Sequence, residues 1–397
     1  MALMPVAEAL ARILATAKLS SAETVKLENS YGRILALDLK AKRDQPPFPS
    51  SAMDGYALRH VDIAVPLKLI GVSAAGHAFK GTVKAGEAVR ILTGAPLPKG
   101  ADTIVIQENT KIEGNTLTIT EPTSLGKNIR VQGLDFKRSD VLVPAGTKLN
   151  ARDIGLAAAG NAATLRVRRK PRLVLFTTGD ELVLPGQKPR ADQIVSSNSH
   201  ALAAMANAWG ADVTNLGIIC DSLKATMAAI KKSDGADILI TTGGASVGDH
   251  DYVQEAFKKS GVKIDFWKIA LRPGKPLMFG TKGKLRVLGL PGNPVSALVC
   301  ARIFLQPLLN KIQGQSDEHS TNTARLSAAL APNDNRQDYL RATLEYAADG
   351  SRVATPFSKQ DSSMQRTLRN ADCLIIRQPN APLAAEGTLV SVLMLDF

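Results

Sequence analysis

Aromatic side chains are scarce in this 397-residue chain: 10 Phe, 5 Tyr and 2 Trp make up 4% of it. That disfavours nucleic-acid binding by base stacking, which needs an aromatic platform. Cysteine is scarcer still. Cys220, Cys300 and Cys373 stand far apart and form no Cys-x-x-Cys pair, a pattern that fits a reducing compartment. Cys300 falls in the apolar helical run Val295 to Leu305 and reads as an inert core residue. No run reaches the ~20 apolar residues that span a bilayer. The first residues carry Glu8 and Arg12 and no basic n-region; Val6, Leu10, Ile13 and Leu14 share one face, as in an amphipathic surface helix. The chain therefore reads as soluble and cytoplasmic, with neither membrane nor nucleic acid among its partners.

What is present bounds the architecture. A chain of this length exceeds one efficient core, so several domains are expected. Its hydrophobic share of 45% is that of a globular protein. The formal net charge of +13 suggests acidic ligands, although the clearest basic cluster, Arg166 to Arg172, carries no aromatics and reads as a solvated linker. Residues 43–139 alternate short apolar runs with Gly and Pro, and Lys111 to Leu117 reads as a hairpin turning at Gly114-Asn115. Beyond the basic cluster, strands and helices alternate: strand 173–176, helix 199–209, strand 214–219, helix 222–232, strand 238–241, helix 252–259, strand 263–268, strand 287–290 and helix 295–309. This is the pattern of a parallel, doubly wound α/β sheet. From about residue 319 the text returns to short strands, as in a small β domain.

Ligands of such sheets bind at the carboxyl ends of the strands, and the chemistry gathers there. The stretch Ala236–Tyr252 runs from a buried strand into Gly243-Gly244-Ala245-Ser246-Val247-Gly248, then Asp249 and Asp251. A glycine nest at a helix start suits phosphate, and carboxylates beside it call for a divalent cation between them. Other strand ends carry Thr177-Thr178-Gly179-Asp180-Glu181, Cys220-Asp221-Ser222, Arg272-Pro273-Gly274-Lys275-Pro276 and Pro291-Gly292-Asn293-Pro294-Val295-Ser296. Each piece alone has a plain reading: Asp221 as a helix cap, the prolines and glycines as turns. His250 lacks metal-ligand spacing, and Trp209 and Trp267 read as core. Together the set points to a site that handles phosphate and metal.

From about residue 5 to the end, the chain resembles the molybdopterin molybdenumtransferase (MoeA) family, related to the catalytic domain of gephyrin. The marks are Pro49 to Ala57 (PSSAMDGYA), Leu92-Thr93-Gly94-Ala95-Pro96, Thr178 to Leu182, Thr242 to Asp249, Arg272 to Pro276 and Leu290 to Ser296. The resemblance implies an elongated homodimer of four-domain subunits whose active cleft is built from both. It implies a first domain from residues 1–42 with 141–168, a β-rich inserted domain over 43–140, a MogA-like α/β domain over 169–318 and a C-terminal β-barrel domain over 319–397. The implied reaction inserts molybdenum from molybdate into adenylylated molybdopterin, with Mg²⁺ and release of AMP. Asp54, Thr93, Asp135, Glu181, Asp221 and Asp251 would be catalytic, and Asp221, Asp249 and Asp251 would hold the metal. Substrate would be bound by Thr178, Gly179, Asp180, Gly243, Gly244, Ser246, Gly248, Arg272, Lys275, Pro291, Gly292, Asn293 and Ser296. From the tail, Arg341 and Ser362 or Ser363 would join them. Asp54, Thr93 and Asp135 would reach the cleft from the partner subunit. Arg272 stands where many relatives have lysine and keeps the charge. Ser197 precedes Asn198 where aspartate is frequent, and Asp361 places an acid beside the tail serines. The implied partners are molybdopterin adenylyltransferase and the maturation proteins of molybdoenzymes. The competing readings are the adenylyltransferase itself, opposed by the extra β domains, and a gephyrin-like scaffold, opposed by the intact acidic and basic set.

Overall fold

The computed structural model describes residues 3–243, 252–315, 321–395 and 397. They fall into two compact units, Met1–Glu23 with Arg168–Phe397, and Thr24–Val167. In the first unit a six-stranded sheet runs in the order Asp212–Ile219, Arg172–Thr178, Ile238–Thr242, Leu285–Leu290, Met278–Lys282, Lys263–Trp267. The first four strands are parallel. Met278–Lys282 runs antiparallel to both of its neighbours, an inserted strand that the sequence reading lacks. Its glycine and polar end, Gly280-Thr281-Lys282, hide the strand pattern.

Side chains alternate between the two faces of a strand, and here each face is apolar. Leu173, Leu175, Ile238, Ile240, Leu288 and Leu290 point to one core, shared with helices Val6–Ala15, Asn198–Ala208 and Pro294–Cys300. Val174, Phe176, Leu239 and Val287 point to the other, shared with helices Leu223–Lys231 and Tyr252–Lys259. Burial on both faces explains why these strands read as unbroken hydrophobic runs. The helix from Pro294 continues through a π turn, Ala301–Leu305, into Gln306–Gln313. By length and composition the run Pro294–Gln313 could cross a membrane, yet 83% of its most apolar window is buried inside the protein. It ends at Gly314, whose φ of 70° closes the last turn without Cβ strain.

The N-terminal helix is anchored in this unit. Val6, Ala9 and Ile13 are buried in the sheet core, so the helix packs with the α/β layer, whereas the sequence grouping put residues 1–42 with 141–168. Its far end is held by Arg286, which is 6% exposed and donates through Nε to Thr16 O at 3.2 Å.

Five strands, Thr321–Leu326, Gln337–Tyr346, Arg352–Pro356, Cys373–Arg377 and Leu389–Met394, close into a barrel because Gln337–Tyr346 pairs on both sides. Its interior is built from small residues such as Ala324, Ala342 and Ala354, which suit the narrow bore of so few strands. Leu271–Arg272 adds a short parallel pairing to Gln337 and Asp338, tying the barrel to the α/β layer.

The second unit holds a six-stranded sheet in the order Thr103–Ile106, Gly55–Leu58, Glu87–Ile91, Leu67–Ser73, Thr116–Ile119, Thr110–Glu113. The expected hairpin forms, with Glu113 opposite Thr116 and Gly114 at φ 59°. A separate core under helix Ala151–Ala159 gathers Leu35, Leu39, Val143, Leu149 and Leu165, and Asn150 caps that helix with a reciprocal bond to Asp153.

Arg286→Met should free the N-terminal helix. The change leaves the Thr16 carbonyl without its donor, which costs about 1–3 kcal/mol. Hydrogen exchange should quicken across residues 6–15 with the barrel unchanged; unchanged exchange there would show that the arginine does not anchor the helix.

Candidate functional site

The carboxyl edge of the α/β sheet is shaped by one missing side chain. Gly243 ends the strand Ile238–Thr242 at φ 88°, and a Cβ there would overlap the Thr178 carbonyl oxygen of the neighbouring strand. A Cβ on Gly292, from the next turn, would lie 3.6 Å from Gly243 Cα. Asn198, at the start of its helix, ties these turns together. Its Nδ2 donates to Gly292 O at 2.7 Å and to Thr242 Oγ1 at 3.0 Å, and Thr242 Oγ1 donates to Pro291 O at 2.9 Å.

Two adjoining pockets open on this edge, of about 430 and 340 Å³. Thr178, Glu181, Gly243, Gly292 and Asn293 line both and form the ridge between them. The larger adds Thr177, Leu182, Ile194 to Asn198, Ser363 and Gln365. The smaller adds Gly179, Asp221, Pro276, Pro291 and Ser296. Asp180 and Asp221 are locked to each other's backbone: Asp221 N donates to Asp180 Oδ1 at 3.1 Å and Asp180 N to Asp221 Oδ2 at 3.3 Å. Burial raises the Asp221 carboxyl above the usual range, and the charges of Asp180 and Glu181 push the same way. Among the described residues no group of three metal-ligating side chains forms. Gly244, Ser246, Gly248, Asp249 and Asp251, with His250, lie outside the described residues.

The barrel supplies the wall of the larger pocket through residues 357–365. Asn293 Nδ2 donates to Ser362 Oγ at 2.8 Å, and Val295 N donates to Ser362 O at 3.0 Å. Gln365 Nε2 reaches Ser197 Oγ at 2.5 Å. Ser363 gives its hydroxyl to Asp361 at 2.6 Å, and that bond, with the Ser363 N–H, holds the Asp361 carboxyl below its ordinary range.

Two expected anion ligands are committed elsewhere. Arg341 is 1% exposed, and its guanidinium donates to Gln360 Oε1, Met364 O and Asp361 O at 3.0–3.2 Å. It holds the loop together instead of facing the cleft. Arg272 pairs with Asp334 and lies 3.6 Å from Asp338. The sequence shows no acid near Arg272 because both aspartates come from the barrel, more than sixty residues away. Lys275 is exposed beside Pro276, and its ammonium has no partner among the described residues. The sequence reading gave Asn198, Thr242, Gln360 and Gln365 no role in the site, although Thr242 opens the glycine motif and Asn198 is a polar residue at the start of an apolar helix.

In the other unit, Asp54 accepts two bonds from Thr93, from N at 2.6 Å and from Oγ1 at 2.7 Å. The backbone donor, then the hydroxyl, lower the Asp54 carboxyl below its ordinary value. A cavity of about 380 Å³ in the same unit is lined by Gln45 to Phe48, Ser50, Gly94, Arg130, Leu134 and Asp135. The sequence pattern therefore brings Asp54 and Thr93 into contact, and Asp135 into the adjoining segment that includes Gly94.

Comparison with known proteins agrees along the whole chain. Residues 4–160 match the MoeA N-terminal region (domain I and II), residues 174–311 a probable molybdopterin binding domain, and residues 323–395 the MoeA C-terminal region (domain IV). A molybdopterin molybdenumtransferase of Haemophilus influenzae is 32% identical over 378 residues, covering 93% of both chains. One from Nostoc sp. is 40% identical over 303 residues, covering 74% of this chain and 70% of that protein. A molybdopterin biosynthesis MoeA protein of Pyrococcus superposes with a TM-score of 0.87 at 29% identity, covering 99% of each chain.

Thr93→Val should raise the Asp54 pKa towards an ordinary carboxylate value, since it removes one of two donors to the ionised form. The folded value is depressed, so the contribution of this contact to stability is present above the unfolded-state pKa and is lost as pH falls through the folded one. A carboxyl NMR titration reads the shift. An unmoved Asp54 would mean that the backbone donor alone sets it.

Proposed function

This chain belongs to the MoeA family of molybdopterin molybdenumtransferases, and from that premise we propose that it transfers molybdenum from molybdate into adenylylated molybdopterin with release of AMP. The observation that supports the reading most is the double pocket at the sheet edge. A ridge of backbone-rich turns separates a hydroxyl-lined chamber from one that holds Asp221 and Ser296, a layout for one ligand with two chemically different ends. Thr178, Gly179, Asp180, Gly243, Pro291, Gly292, Asn293 and Ser296 hold that ligand, and Glu181 and Asp221 act on it. Ser363 lies in the wall of the chamber, and Ser362 braces that wall through Asn293.

Molybdate is a tetrahedral dianion that calls for cations and N–H or O–H donors. With Arg341 and Arg272 engaged in holding the loops, Lys275 is the cation proposed to meet it. A divalent ion enters the proposal through the sequence. Asp221 brings one carboxylate to the smaller pocket, and Asp249 and Asp251, which lie outside the described residues, would complete the set. When bound, Mg²⁺ would neutralise charge at the anhydride phosphates. The protein's own part is to orient the anhydride on the glycine turns.

Asp54, Thr93 and Asp135 are proposed to complete the cleft from the second subunit of a cytoplasmic homodimer. The adenylyltransferase alternative is not favoured, because the matched regions extend well beyond the α/β domain on both sides. The assay that tests the reading supplies adenylylated molybdopterin, molybdate and Mg²⁺, then measures AMP and protein-bound molybdenum. Absence of both products would end it.

Two variants separate the proposed roles. Lys275→Ala should raise the molybdate concentration needed by about ten- to a hundredfold, the loss of one charge-assisted contact of roughly 1.5–3 kcal/mol, with thermal stability unchanged. Arg341→Ala should lower stability and activity together, since its guanidinium holds a loop. Equal molybdate shifts at constant stability in both would return Arg341 to the anion site.

Assembly has its own test. An Asp54→Asn subunit mixed with an Asp251→Ala subunit should recover activity that neither homodimer has. A verified mixed dimer without rescue would place both residues in one same-chain site.

A further inference from the structure

We infer that Arg366 and Arg369, on the short helix of the barrel loop, form a cationic rim that draws a polyanionic ligand to the sheet edge through solvent and stays out of contact once the ligand is bound. The inference rests on the molybdenum-transfer reading, whose substrates, a phosphoanhydride and a tetrahedral dianion, are both anionic.

The need arises from the charge of the walls. Among the described residues, the linings of the two pockets carry Glu181 and Asp221 and no lysine or arginine. Asp180 sits against Asp221, each backbone N–H donating to the other's carboxylate. In the metal-free site these three acids repel an approaching anion before any hydroxyl or N–H donor comes within reach. Lys275, next to Pro276 of the smaller pocket, is one cation against them. On the side of the larger pocket, cations have to come from outside the lining.

The helix Gln365–Arg369 supplies them. Two contacts fix its rotation: Leu368 is 7% exposed and packs into the core of the α/β layer, while Gln365 lines the larger pocket and reaches Ser197 Oγ. At about 100° per residue, Leu368 lies roughly 60° to one side of Gln365 and Arg369 roughly 40° to the other, with Arg366 further round the same way. The two arginines therefore lead from the pocket wall out into solvent. Both are exposed, and neither guanidinium has a hydrogen-bond or ion-pair partner among the described residues. Asp361, the nearest acid in sequence, accepts from Ser363 N at 2.8 Å and Ser363 Oγ at 2.6 Å and pairs with neither.

Arg272, Arg286, Arg336 and Arg341 each hold an acceptor; this pair is left free. An arginine that clamps a ligand is braced by packing or by a fork of hydrogen bonds. Unbraced side chains such as these lose rotamer freedom when they clamp. Attraction through water needs no fixed geometry and extends about 8–10 Å at ordinary salt, enough to act at the mouth of the pocket that Gln365 lines. Steering of this kind raises association rates and weakens steeply with ionic strength.

The test follows association of adenylylated molybdopterin with the full-length protein by stopped-flow fluorescence, from about 20 mM to about 0.5 M salt, and AMP release on the same samples. The double variant Arg366→Glu/Arg369→Glu should associate about tenfold more slowly than wild type at low salt, and the gap should close at high salt. Arg366→Lys/Arg369→Lys keeps the charge and should match wild type throughout. Dissociation rate, kcat and melting temperature should be unchanged in both. Where charge reversal perturbs folding, Arg366→Gln/Arg369→Gln takes its place, with a deficit of about two- to threefold. Unaltered association in the charge-changed variant at low salt would overturn the inference. So would a deficit that persists at high salt or appears in dissociation, since either marks a contact in the bound state, and so would a Lys variant as slow as the Glu one. A wild type that associates with this salt dependence, lost in the Glu variant, yet releases no AMP would remove the molybdenum-transfer reading and leave the rim. AMP release by wild type, with association equally fast in the Glu variant, would do the reverse.

Discussion

A buried guanidinium has to be solvated by something, and Arg341 is solvated by the loop it holds. Its donors meet Gln360 Oε1 and the carbonyls of Asp361 and Met364, and Gln360 Nε2 returns bonds to Arg341 O and Phe357 O. None of the three acceptors is a carboxylate. Burial lowers the arginine's pKa, and the nearby Asp361 charge offsets part of that. Such a cation tolerates no slack, because an acceptor withdrawn leaves a buried charge short of a partner. The loop is therefore set by the arginine, and the loop in turn sets Ser362 against Asn293 and Gln365 against Ser197. The wall of the larger pocket follows from one side chain on a barrel strand.

The opposite wall depends on absence of side chain. Gly243 lets its turn pass against the Thr178 carbonyl, and Asn198 donates to Gly292 O and Thr242 Oγ1 beside it. Buried backbone groups must be paired, so an Asn at the helix start is as much a part of the turn as the glycines. Beyond that ridge the two chambers differ in kind. One carries hydroxyls and aliphatic surface, the other the Asp221 carboxylate drawn close to Asp180. A ligand binding across both would meet hydroxyls and aliphatic surface at one end and the Asp221 carboxylate at the other, with Glu181 on the ridge between them.

The alternation of strands and helices made the α/β layer legible, because burial on both faces writes continuous apolar runs. The Gly114-Asn115 turn was legible for its own local reason, the positive φ at Gly114. Met278–Lys282 was not, since Gly280 and Lys282 break the pattern that burial writes elsewhere. The glycines and acids of the site stood out as strand-end motifs. The loop-holding roles of Arg341 and Arg272 did not, because their partners lie in other elements and sequence proximity says nothing of them. Arg341 looked like an anion ligand for the same reason it is a good organiser: five donors in a rigid fork serve either task. Only burial separates the two.

That distinction bears on what the net charge of +13 does. In the α/β and barrel unit, Arg341 is spent on a loop, Arg286 on a helix end, and Arg272 on two aspartates. Asp334, held by Arg336 as well as Arg272, sits at a pKa of about 2 and stays ionised across the working range, so this ion pair does not release its arginine as pH falls towards 5. Lys275, exposed beside Pro276, has no partner among the described residues. One exposed ammonium is screened over about 8–10 Å at ordinary salt, so its reach is short. What the sheet edge itself offers a ligand is therefore short-range: the hydroxyls, turns and carboxylates that line its two pockets.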